Sequence, residues 1–296
     1  WRAATPVRAA QAQGAARWED LPLSWLPGAW GPDIQSYVML QGQWQMQLDK
    51  GLNMSASMQR SRGDLLIHAD NAPGQRLPAG LREASVQWRL QGERMDAALT
   101  WDSEHMGQIR AQAQSVLRST SQGLQWDDQA PLTGSMVASL PKVGAWSLLA
   151  PPGWRVQGTL ESRLELSGTR SQPQWQGRLQ GDNLAVRSAV QGIEFSQGQL
   201  IAQLQGQQVI LERLSLRGAG PQGGELEAKG QLSWEASAAA FNAAHPLNAA
   251  SLVLQIQAKS LRVSNRADRR LAVSGDVTAE MNKGQLRLKG LVQADQ

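Results

Sequence analysis

Strict alternation of apolar and polar residues is the feature that most constrains this chain. Between Arg155 and Ser167, apolar or small residues occupy every even position and charged or polar residues occupy every odd one. Because a β-strand sends successive side chains to opposite faces, the pattern predicts a strand with one apolar and one polar face. A sheet built from such strands is solvated on one side only. Its dry side must close as a barrel, pack on a second sheet, or curl around something apolar.

The same alternation recurs along most of the chain, in segments separated by turn signals such as Asp49-Lys-Gly51 and Gly218 to Gly224. Many strands with short turns predict a mostly antiparallel, all-β fold. The parity shifts near Gly181-Asp-Asn183, which predicts a bulge or a short turn. Glycine repeatedly falls in phase with the apolar residues, and this predicts tight curvature or a close approach of backbone or ligand. These in-phase glycines are Gly42, Gly158, Gly177, Gly230, Gly275 and Gly290.

Tryptophan dominates the aromatic content, with 12 Trp against 2 Phe and 1 Tyr. Half of these tryptophans are in phase with the apolar positions: Trp44, Trp88, Trp101, Trp126, Trp175 and Trp234. They either fill the core of a sandwich or form the wall of a hydrophobic groove, and the alternation leaves both interpretations open.

The alternating segments supply a set of candidate groove-lining residues. They are Leu40, Trp44, Met46, Trp88, Leu99, Trp101, Val156, Leu160, Leu164, Leu166, Trp175, Leu179, Leu226, Leu232, Trp234, Leu254, Ile256, Val273, Val277, Leu286 and Leu288.

Catalytic chemistry finds no support in the sequence. The absence of cysteine excludes disulfides, thiolate metal sites and a cysteine nucleophile. His68, His105 and His245 are far apart and lack ligand spacing, and no hydrolase motif is present. A net charge of +4 is too mild for a typical nucleic-acid binder. We therefore expect no enzyme activity, no catalytic residue, no metal, no cofactor and no nucleic-acid partner.

Two suggestive motifs have simpler structural explanations, one as a turn and one as a loop. Gly218 to Gly223 matches G-x-G-x-x-G, but an alternating strand pattern follows it where a dinucleotide site requires a helix, so a hairpin turn is expected. A basic cluster could contact an anion or a lipid headgroup, but a solvated loop is the favoured interpretation. The cluster comprises Arg262, Arg266, Arg269 and Arg270.

Composition shifts predict four segments: a loop-rich segment over 1–32, a β-rich groove segment over 33–142, a short helix or linker over 143–152, and a second β groove over 153–296. The first residue is Trp1 and the last, Gln296, falls within an alternating pattern. We interpret the chain as an internal part of a longer protein.

From Pro152 onward the sequence resembles the TamB C-terminal domain family, which belongs to the AsmA-like, bridge-like lipid transfer proteins. The resemblance extends over about half the chain and depends on the order and spacing of short motifs. These are Pro152-Gly-Trp-Arg-Val-Gln-Gly-Thr-Leu160, Leu166-Ser-Gly-Thr169, Gly177-Arg-Leu-Gln-Gly-Asp-Asn-Leu184, Gly224-Glu-Leu-Glu-Ala-Lys-Gly230, Leu261-Arg-Val263 and Leu286-Arg-Leu-Lys-Gly290.

This resemblance implies an elongated, curved, taco-like sheet with an apolar concave face and a polar convex face. It implies a groove that conducts phospholipid between the inner and outer membranes, with acyl chains as ligand. The family's location implies a periplasmic protein held in the inner membrane by a helix N-terminal to this sequence. It also implies a TamA-like outer-membrane barrel of the BamA family as partner. The alternatives are an assembly factor for outer-membrane β-barrel proteins, and a secreted β-enzyme or sugar-binding module.

Overall fold

One large antiparallel sheet dominates the computed structural model of the chain, which describes residues 12–25, 35–49, 51–68, 76–120, 123–145, 153–188, 190–234, 250–266, 269–282 and 285–295. Its fifteen strands follow one another almost in chain order, each joined to the next by an antiparallel ladder. They are β1 (Ala12–Pro22), β3 (Met39–Leu48), β4 (Leu52–Arg62), β7 (Leu81–Gln91), β8 (Arg94–Ser103), β9 (Gly107–Val116), β12 (Thr133–Leu140), β13 (Trp154–Gly168), β14 (Pro173–Ser188), β15 (Ile193–Gly206), β16 (Gln208–Gly218), β17 (Glu225–Trp234), β18 (Ala250–Arg266), β19 (Arg269–Asn282) and β20 (Gln285–Asp295).

Two small sheets accompany the large one. The first pairs β10 (Arg118–Thr120) with β11 (Gly123–Gln125), and the second orders β2 (Gln35–Ser36), β5 (Leu65–His68) and β6 (Arg76–Pro78). With strands spaced about 4.8 Å apart, the large sheet extends roughly 65 Å from β1 to β20. The all-β, curved, antiparallel fold predicted from the alternation is confirmed. No helix within the described residues is both long enough and apolar enough to cross a bilayer.

The structure differs from the predicted segments within the first of them. Within the segment predicted as loop-rich, residues 12–22 form β1, which pairs with β3, and a short 3-10 turn follows at Leu23–Trp25. Of the segment predicted as a short helix or linker, residues 143–145 form a 3-10 turn, while 146–152 lie outside the described residues. The ladder between β12 and β13 runs across this boundary, so the two predicted groove segments share one continuous sheet.

Bulges bend several strands at similar positions along their length. The parity shift predicted near Gly181-Asp-Asn183 is a break in the β14–β15 register, with Asn183 in the left-handed region at φ 51°. Neighbouring β15 breaks register at Gln197 (φ 51°), and β18 does so at Ser260 (φ 45°). Because a bulge increases local twist and bends its strand, aligned bulges curve the whole sheet.

The in-phase glycines mark close backbone approaches, as expected. A β-carbon on any of the six would meet neighbouring atoms at less than 3.0 Å. At Gly177 the φ of 151° is one that side chains rarely adopt, and an added β-carbon would overlap the carbonyl oxygen of Arg163 on β13. Glycine at these positions lets the backbones of adjacent strands approach closely.

A compact hydrophobic cluster seals one end of the strands in the first half of the sheet. There the small sheet of β2, β5 and β6 packs over the beginnings of β3 and β7. The Asp64 carboxylate holds this layer in place by accepting backbone N–H groups of Leu65, Gly80 and Leu81 at 2.8–3.1 Å. We call this side of the sheet the capped rim. Its buried residues are Val38, Leu40, Leu65, Ile67, Ala79, Leu81, Met106 and Ala145.

Candidate apolar groove

A single row of apolar side chains and glycines crosses all fifteen strands of the large sheet. Each member of this central row is the cross-strand partner of the next, so all share one face. From β1 to β20 the row reads Trp18, Gly42, Met58, Val86, Leu99, Ala111, Met136, Leu164, Gly177, Leu204, Val209, Leu232, Leu252, Met281 and Leu286.

One residue away on each strand, the opposite face carries an outward row that is polar except at Ala98. The two rows therefore differ in chemistry at almost every strand, which is the pattern of a sheet that is wet on one side only. The outward row reads Arg17, Gln43, Ser57, Gln87, Ala98, Gln112, Ser135, Glu165, Gln176, Gln205, Gln208, Ser233, Ser251, Asn282 and Gln285.

On the central strand β13, exposure follows the same division between faces, although Val86, Leu99 and Leu286 of the central row are themselves exposed. On β13, Arg155, Glu161, Arg163 and Glu165 are exposed, whereas the even positions from Val156 to Leu166 are half-buried or buried. The sheet of β2, β5 and β6 forms a second layer over the capped rim, and Trp126, which follows the β10–β11 hairpin, contacts Ser115 on the apolar face of β9. Elsewhere on the sheet, central-row residues such as Val86 and Leu99 keep 42% and 40% of their surface exposed.

The register places every predicted groove residue on this apolar face, but their environments differ. Leu40 is 4% exposed within the capped cluster, and Trp101 packs against that cluster, so these two belong to a core and not to an open groove wall. Leu164 is 9% exposed on the central strand β13, and Leu288 is 65% exposed on the edge strand β20. The remaining candidates lie between these extremes.

Sequence reasoning missed part of the central row. Met58, Met136, Leu204, Val209 and Met281 lie on the apolar face without having been chosen as candidates. Met58, Leu204 and Met281 fall within segments whose alternation is recognised from the sequence. Met136 and Val209 would be found by extending that alternation to β12 and β16. Trp126 was recognised as in phase, but its face could be assigned only from its contact: its indole N–H donates to Ser115 Oγ at 2.8 Å, beside β9.

Four of the in-phase tryptophans lie at corresponding positions along their strands, near the strand ends opposite the capped rim. Trp44 and Trp88 are separated by Ala56 alone, and the row then passes through Ala97, Ala113, Gly134 and Leu166 to Trp175. Trp234 ends β17 at the same side of the sheet, where its backbone amide donates to the carbonyl of Gln207, in the β15–β16 turn, at 3.1 Å. We call Trp44, Trp88, Trp175 and Trp234 the tryptophan row.

The indole donors of the tryptophan row have no acceptor among the described residues. Trp44 is flanked across the ladders by Ala16 and Ala56, and its ring covers Gly14. Within the described part of the chain, none of the four indole N–H groups donates to a protein acceptor and none is both fully buried and unpaired. Amphipathic indoles with a free donor are typical of boundaries between an apolar phase and water.

The polar face carries exposed ion pairs rather than a reactive cluster. Arg82 donates to the Asp102 carboxylate at 2.7 Å, and this hydrogen bond holds the pKa of Asp102 below its usual value. Lys289 pairs with Glu280 at 3.1 Å. Such exposed pairs contribute little to stability. Within the described ranges, no group of three or more His, Asp or Glu side chains is arranged to hold a metal ion.

The glycine-rich motif forms the expected turn. The basic cluster is not a loop, as was predicted, because its four arginines lie in the paired strands β18 and β19. The glycine-rich stretch from Gly218 to Gly223 joins β16 to β17, and the Arg262 guanidinium donates to the Ala219 carbonyl at 3.1 Å. The rest of the basic cluster has no described side chains. These contacts tie the β16–β17 turn to the end of β18.

Comparisons of the chain with protein-family models, with curated proteins and with solved structures find no match. Its function must therefore be inferred from its residues and their geometry.

Proposed function

We propose that this chain is a segment of a groove that conducts phospholipid between the inner and outer membranes of a bacterial envelope, with acyl chains lying on the apolar face. The observation that carries the proposal is the central row, which is apolar or glycine on all fifteen strands. A periplasmic location, an inner-membrane anchor and a TamA-like barrel partner belong to this proposal through the sequence resemblance to the TamB C-terminal domain family.

The free energy of acyl-chain burial on such a surface favours movement of a lipid along the sheet over tight binding at one place. Each buried acyl CH₂ contributes about 0.8 kcal/mol. Because similar apolar side chains recur at every strand, this stabilisation is spread along roughly 65 Å of sheet. A lipid could move from strand to strand without entering one deep minimum, and this movement needs no catalytic residue.

Site-specific photo-crosslinking tests the proposal. A photoreactive residue at Leu179, half-buried on the apolar face of β14, is expected to capture phospholipid. The same residue at Arg178, exposed on the opposite face of the strand, is expected to capture little. The two positions are adjacent, so expression and local backbone are matched. Equal capture at both positions, measured by mass spectrometry of the adducts, would contradict the groove assignment.

A second candidate function is an assembly factor for outer-membrane proteins that offers a strand edge to a barrel partner. The sequence resemblance supports this candidate, which would act by adding strands of the sheet to those of the barrel. This candidate requires substitutions along β20 to abolish function, and charges on the apolar face to leave it unchanged.

A further inference from the structure

We infer that phospholipid lies in this groove in one orientation, with its ester and headgroup region along the tryptophan row and its acyl chains directed along the strands towards the capped rim. The inference rests on the proposed function and adds to it which rim of the groove contacts the polar part of the lipid.

The first support is the position of the tryptophan row. Trp44, Trp88 and Trp175 lie on one continuous row, and Trp234 lies at the same end of the β16–β17 hairpin. Alternation along a strand determines only the face on which a side chain lies. The alignment of these tryptophans across several strands depends in addition on the register between the strands. Indole rings favour the boundary between hydrocarbon and water, where one part of the ring is dry and another is wet.

The second support is the state of the indole donors. An indole N–H can only donate a hydrogen bond, and it needs an acceptor when it is removed from water. Trp126, at the same end of the strands, satisfies its donor with Ser115 Oγ. The four members of the tryptophan row have no such acceptor among the described residues. The ester and phosphate oxygens of a phospholipid are acceptors that these donors would satisfy.

The third support is the packing at the capped rim. Trp101 and Trp154 also lie on the apolar face at that end of the strands, where Trp101 packs against the buried cluster and Trp154 is half-buried. At the capped rim, Leu40, Leu81 and Met106 are buried in the cluster beneath the small sheet, so an apolar chain end meets an apolar wall there. From Leu166, beside Trp175, to Leu160 is six residues along β13, or about 20 Å at roughly 3.3 Å per residue. Half the hydrocarbon thickness of a bilayer is about 15 Å. The strand therefore has the length to hold one acyl chain lying along it.

Fluorescence quenching by spin-labelled lipid tests this orientation. The chain contains no cysteine, so single-cysteine variants label at one place without altering other residues. Leu166→Cys reports the level of the tryptophan row and Leu160→Cys reports a deeper level on the same strand, both half-buried. Glu165→Cys, exposed on the polar face, is the matched control. Each variant carries a small fluorophore and binds phosphatidylcholine with a nitroxide near either the ester end or the methyl end of one acyl chain.

The proposed orientation predicts opposite orders of quenching at the two labelled positions. The ester-end nitroxide should quench the label at Leu166→Cys about twofold more than the methyl-end nitroxide does, and the order should reverse at Leu160→Cys. A reversed order at both positions, or equal quenching by both probes, would overturn the orientation while leaving lipid binding in place. Quenching at neither position, with bound lipid absent, would instead overturn the proposed function.

Discussion

The variant Leu99→Asp is expected to bind phospholipid about tenfold more weakly than the unmodified chain, or weaker still. Leu99 lies in the central row, 40% exposed, with Val86 and Ala111 as its cross-strand partners. An acyl chain on this face would desolvate the new carboxylate, which costs several kcal/mol for a fully buried charge. Discounting for partial exposure leaves about 1.4 kcal/mol, which corresponds to a factor of ten. Equilibrium binding of a fluorescent phosphatidylethanolamine measures the change.

Ala98→Asp is the matched control for this variant. Ala98 is the adjacent residue, exposed on the polar face between Gln87 and Gln112. The same carboxylate is solvated there, so binding should change by less than about twofold. Circular dichroism and thermal unfolding of both variants verify that each keeps the sheet. If both variants bind as tightly as the unmodified chain, acyl chains do not contact the central row.

The variant Gly177→Ala is expected to lower the free energy of unfolding by about 2–4 kcal/mol. At φ 151° an alanine is strained, and its β-carbon would overlap the Arg163 carbonyl oxygen and approach Leu164 Cα to 2.9 Å. Those atoms are backbone of β13 at the middle of the sheet, so relief requires the β13–β14 ladder to separate. The midpoint of urea denaturation is the measurement.

Gly51→Ala supplies the control for the glycine argument. Gly51 lies in the β3–β4 turn, and an added β-carbon would meet no heavy atom within 4 Å. Its denaturation midpoint should stay close to that of the unmodified chain, because open space and an ordinary φ accommodate alanine. An equal loss of stability in both variants would show that the close approach at Gly177 is not what demands glycine there.

The two-faced sheet could be predicted because its cause is local. Alternation along one strand is read directly from the sequence, and antiparallel neighbours joined by short turns keep the same face inward. The bulge at Asn183 was equally visible, since a bulge shifts parity within a single strand. The glycines in phase with leucine signalled a close backbone approach before the neighbouring strand was known.

The capped rim could not be predicted, because its packing joins residues distant in sequence. The small sheet is built from very short strands, and the Leu65-Leu-Ile67 run in β5 does not alternate. The strand β1 was hidden because its residues do not alternate clearly and lead directly into the proline- and glycine-rich stretch that ends at Pro32. These two elements explain why Leu40 and Trp101, correctly placed by parity on the apolar face, belong to a core.

The tryptophan row likewise required the structure. Parity assigned Trp44, Trp88, Trp175 and Trp234 to one face, but their level depends on the register of every intervening ladder. Between β9 and β12 the chain passes through a long connection that includes the β10–β11 hairpin, and its length does not fix the register across it. Only the observed partners align the tryptophans at one rim.

Native mass spectrometry tests most directly whether the apolar face holds phospholipid. The unmodified chain, Leu99→Asp and Ala98→Asp are incubated with phospholipid vesicles, separated from them, and analysed intact. We predict that the unmodified chain and Ala98→Asp retain phospholipid, whereas Leu99→Asp retains about one-tenth as much or less. A lipid-free unmodified chain, or equal retention by all three proteins, would contradict the groove.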